Sequence, residues 1–105
     1  MAATDPLLPS RDEQIARYRE LRRQSEDPYG RWLMLIKELR VAHDCSILEA
    51  ERIALSNAHR RRWVERSINQ HQQCRKKALA HIRHNTDHAL IKREGDSFVF
   101  RIPAA

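Results

Sequence analysis

Hydrophobic positions along this chain recur with two different periods, and the change of period divides it. From residue 10 to about residue 85 the spacing is helical, and from residue 89 to 102 it is two. Residues 1–9 carry two prolines and no periodicity, which predicts a disordered tail. Ser10 and Glu13 form an S-x-x-E capping box, and Ile15, Tyr18 and Leu21 follow at helical spacing. This helix should stop by Asp27, because the residue before Pro28 is pushed out of the α region. Asp27 and Pro28 then read as an N-cap followed by proline at the first helical position. Tyr29, Trp32, Leu33, Ile36, Leu39 and Ala42 mark the main core helix beyond them.

A second capping box, Ser46 with Glu49, opens a third helix with Ile47, Ala50, Ile53, Ala54 and Ala58 on one side. Only His43 to Cys45 separate it from the helix before, so the two form a tight helix–turn–helix corner. Val64, Ile68, His71, Ala78 and Ile82 form the apolar stripe of a fourth helix, ended by Asn85 and Thr86. Its stripe is offset from the preceding one, which predicts a bend or break near Ser56–His59. His71, inside the stripe, reads as a hydrogen-bonded core histidine. Ala89, Ile91, Phe98, Phe100 and Ile102 share one face of a hairpin turned at Glu94-Gly95-Asp96. The expectation is a single domain over residues 10–105: mainly α, four helices, and a C-terminal β-hairpin at 89–102.

Charge changes this picture more than composition does. Residues 59–83 hold eight Lys or Arg and one acid, Glu65, for +7, while residues 1–58 sum to −1 and residues 84–105 to zero. A field concentrated in one segment attracts an anionic partner, either nucleic acid or an acidic protein surface. Opposite the apolar stripe of the basic helix fall Arg62, Arg66, Asn69, Gln73 and Lys77. Arg, Asn and Gln can bind base edges bidentately in a major groove, and Lys suits phosphate. Arg60, Arg61, Lys76 and Arg83 would flank that row as backbone contacts. Trp63 lies between the apolar and basic faces.

Helix, turn, helix, basic helix and hairpin, in that order, resemble a winged-helix domain with the hairpin as its wing. The resemblance is one of element order. It implies duplex DNA binding by the basic helix, as in a small transcriptional regulator, with Lys92 and Arg93 reaching a phosphate from the wing. The chain departs from that pattern in its basic helix of some 25 residues and in having no strand before the second helix. A non-catalytic adaptor is the alternative, docking an acidic partner or forming a homodimer through the hairpin's second face, where Leu90 and Val99 lie.

Other chemistry is poorly supplied. Two glycines cannot build a phosphate-cradling loop, and no H-E-x-x-H or G-x-S-x-G occurs, so no enzyme and no cofactor is expected. His81, His84 and His88 are spaced like partial metal ligands, but Cys74 lies about 10 Å from His81 along a helix, so no metal site is expected. Two cysteines and no long apolar run point to a reducing cytoplasm, with no secretory leader and no membrane partner.

Overall fold

The computed structural model describes residues 9–102. Five α-helices and a two-stranded antiparallel hairpin follow one another there, so the chain is mainly helical with a C-terminal hairpin, as its periodicities predict. The expected tail lies outside the described residues except for Pro9. The backbone falls into two compact units, one running to Ala50 and the other beginning at Glu51.

The first unit is built on α1 (Arg11–Gln24) and α2 (Pro28–His43), which pack against each other. Local chemistry fixes both starts. Ser10 Oγ accepts the Glu13 N–H at 3.2 Å, and Asp27 Oδ2 accepts the Gly30 N–H at 2.9 Å. Leu35, Ile36 and Leu39 of α2 are buried, and so is Glu38. The Glu38 carboxylate lies 3.4 Å from both the Arg19 and the Arg22 guanidinium of α1. A buried carboxylate needs such partners, because desolvation of an unpaired charge costs several kcal/mol. Asp44, with φ 49, turns the chain into α3 (Ile47–Leu55), where Ser46 Oγ accepts the Glu49 N–H at 3.1 Å.

In the second unit the helix predicted over 59–85 is two helices. The expected break near Ser56–His59 is present: Asn57 caps α4 (Ala58–Gln70) by accepting the Arg60 N–H at 3.0 Å. A further break follows at His71, whose backbone is extended (φ −103, ψ 120), and α5 (Gln72–Asn85) begins after it. This corrects the reading of one basic helix of some 25 residues. It also moves His71, which is exposed rather than buried in a stripe. A hairpin of β1 (Ile91–Glu94) and β2 (Ser97–Phe100) packs on the helix pair, β2 against α4 and β1 against α5. Its two-residue loop places Gly95 at φ +59, the left-handed position that a primed hairpin turn requires. Ile91 pairs with Phe100 and Arg93 with Phe98, and Ile91 and Phe98 are buried.

Side chains pin this hairpin to the break. Asn69 Oδ1 accepts the Phe98 N–H at 2.7 Å while its Nδ2 donates to the Phe98 carbonyl at 3.1 Å. Arg75 donates to the Asn69 carbonyl at 3.2 Å and to the Asp96 carbonyl at 2.8 Å, its guanidinium 5.1 Å from the Phe98 ring centroid. Asn69 thereby satisfies both backbone atoms of buried Phe98, which would otherwise lack partners. Asn69 and Arg75 thus hold the helix break and the hairpin loop as one structure.

Candidate functional site

The +7 of residues 59–83 does not stay together at the surface. Arg61 turns inward, donating to the Ile102 carbonyl at 2.6 Å with its guanidinium 4.5 Å from the Phe100 ring. Arg75 is engaged with the loop as described. Asn69 belongs to the hairpin's hydrogen bonding, so its amide is not presented beside Arg62 and Arg66 as the helical wheel predicts. The row Arg62, Arg66, Asn69, Gln73, Lys77 is moreover divided by His71, with the first three on α4 and the last two on α5.

What remains outward is a smaller set. Arg62 and Arg66 are exposed one turn apart on α4, while Gln73, Lys76, Lys77 and Arg83 are exposed on α5. Arg60 is half-buried. At the hairpin, Lys92 Nζ lies 3.2 Å from Glu94, and Arg93 donates to the Gly95 carbonyl at 2.9 Å with Asp96 3.9 Å away. These hairpin cations are therefore partly neutralised by their own loop. Leu90, read as part of an outer hairpin face, is 2% exposed and lies inside; Val99 is half-buried.

Where α4 gives way to α5 the surface is concave. An open hollow of about 850 Å³ is lined by Gln70, His71, Gln72, Gln73, Lys76 and Lys77, with Ala80 completing the wall. Of these, His71 was not legible as a neighbour of Lys76 and Lys77, because a straight helix puts it in the apolar stripe. A cluster of weaker helix formers, Ser67, Asn69 and His71, was the available sign of a break.

A second cluster is internal. His81 Nε2 accepts the Leu90 N–H at 3.0 Å, so its proton sits on Nδ1, 3.7 Å from the Glu51 carboxyl. Burial, and then the neighbouring His84, hold the His81 imidazole below its ordinary value. Burial pushes the Glu51 carboxyl up to about 7. Both groups are thereby favoured in their neutral forms. His81 is thus engaged by the backbone just before β1, and no group of three or more His, Cys, Asp or Glu among the described residues could hold a metal ion. Cys74 is buried and Cys45 half-buried. No helix among the described residues is long and apolar enough to cross a membrane.

No protein-family model matches the chain, and neither do curated proteins or solved structures.

Proposed function

We propose that this protein binds nucleic acid, with duplex DNA its partner, through the unit that begins at Glu51. One observation carries the reading: residues 51–105 hold twelve Lys or Arg against five Asp or Glu, and the rest of the chain sums to −1. Arg62, Arg66, Lys76, Lys77 and Arg83 are exposed on α4 and α5. Cations on helices at this density supply the phosphate neutralisation on which nucleic-acid affinity chiefly rests. Because Asn69 and Arg61 serve the hairpin, the interface has one base-reading group and one flanking phosphate contact fewer than its sequence suggests.

Fluorescence anisotropy tests this with a labelled duplex of about 25 base pairs and a matched RNA, at roughly 50 and 200 mM salt. Tight binding to the duplex that falls by orders of magnitude at the higher salt is expected. Arg62→Ala with Arg66→Ala should weaken it without unfolding the chain. No duplex binding at low salt would end the reading and direct attention to an acidic protein partner.

A further inference from the structure

On a straight α-helix four consecutive residues point around most of a circle, each about 100° from the last. Gln70, His71, Gln72 and Gln73 nevertheless line one hollow, because the extended backbone of His71 interrupts the rotation. The break gathers three amides and a histidine beside Lys76 and Lys77. None of the residues lining the hollow is acidic. Resting on the nucleic-acid reading above, we propose that this hollow seats one phosphodiester ridge of a DNA duplex, and that the protein grips the backbone irrespective of base sequence.

The chemistry of the lining fits that occupant. Glutamine amides donate N–H groups to phosphate oxygens, and lysine ammonium groups neutralise them as point charges. A duplex backbone is a convex, evenly charged ridge, and a concave, acid-free surface on the basic unit is its complement. The shape is also fixed beforehand. Asn69 is bonded to both polar atoms of the Phe98 backbone, and Arg75 ties the Asn69 carbonyl to the hairpin loop, so the break does not have to be ordered on binding. The same bonds withdraw Asn69, an adenine-reading residue type, from any groove. Gln73, the remaining amide of the predicted row, lines the hollow itself.

The test is an NMR titration of the full ¹⁵N-labelled chain with a short duplex, paired with anisotropy at several salt concentrations. Amide shifts should concentrate at Gln70–Gln73, Lys76 and Lys77. Gln72→Glu, which places a carboxylate at an exposed position of the lining, should weaken binding at least tenfold. Lys76→Ala should reduce the dependence of log affinity on log salt by about one. Unrelated duplexes of equal length should bind within about threefold of one another, since phosphate contacts carry no sequence information. If the duplex binds but shifts centre on Arg62 and Arg66 while Gln72→Glu retains affinity, the seat is overturned and the nucleic-acid reading stands. A tenfold or greater preference among duplexes overturns the backbone-only mode. Failure of the unaltered chain to bind any duplex at low salt overturns both.

Discussion

The two units bury polar groups by opposite means. In the first, Glu38 is 6% exposed and is met by two guanidinium groups across the α1–α2 pair, so charge is balanced by charge. In the second, the internal polar groups are held against backbone: Asn69 on Phe98, His81 on Leu90, Arg75 on Asn69 and Asp96. The first arrangement depends on Coulomb attraction repaying the desolvation of ions. The second depends on filling vacant backbone hydrogen-bonding sites, with neutral groups at Asn69 and His81 and a guanidinium at Arg75. It leaves most of the cations of the basic unit at the surface. The contrast teaches that net charge locates a surface only after the cations that serve the interior have been set aside.

Removing a pin from the second unit should have the largest effect. Asn69→Ala strips both polar atoms of the Phe98 backbone of their partner, at a residue 1% exposed, and should cost about 3 kcal/mol in urea denaturation. Less is at stake at Glu38, because Arg19 is largely exposed and can return to water. Glu38→Ala should cost about 2 kcal/mol, whereas Glu38→Leu, which also removes the desolvated charge, should recover most of that loss.

Titration probes the second unit further. The Glu51 carboxyl, raised to about 7 in the fold, ionises near 4.5 in the unfolded chain. The native state therefore binds the extra proton between those values, and Glu51 makes stability fall as pH rises from about 4.5 to 7. Glu51→Gln should abolish that decline. It should be more stable than the parent above pH 7, by about 2 kcal/mol once the partial solvent exposure of Glu51 is allowed for, and equal to it below pH 4.5. His81 acts in the other sense: its folded value is depressed, so its contribution is complete above about 6.5 and is lost as pH falls through the depressed value. A Glu51 carboxyl found by NMR to titrate near 4.5 would remove the basis of this expectation. The smallest effect belongs to Thr86, a β-branched residue held at φ 47 and ψ −112 where α5 ends. Thr86→Gly should raise the melting temperature by a few degrees, a gain of about 1 kcal/mol from relieved backbone strain.

Features set by neighbours in sequence were legible in advance. Ser10, Asp27 and Ser46 each cap the helix predicted for them, because an N-cap acts on a backbone N–H three residues on. The Glu94–Asp96 turn and the shared facing of Ile91 and Phe98 followed from a glycine and a period of two. The break at His71 had only weak helix formers to announce it, since what stabilises it is the bonding of Asn69 to Phe98, 29 residues further along the chain. Periodicity alone continued the helix through it. The inward turns of Arg61 and Arg75 were hidden for the same reason: a helical wheel assigns a direction, while the acceptors that recruit a long side chain belong to another element.

Asn69 has one more consequence. Its amide carries a donor and an acceptor in the arrangement of a peptide group, and at Phe98 it occupies the place that a third strand would take on the outer edge of β2. A passing extended segment finds that rung of the ladder closed. Removing the amide would therefore unlock a template as well as loosen a fold: Asn69→Ala should form concentration-dependent aggregates, seen by light scattering, under conditions where the parent chain stays dispersed.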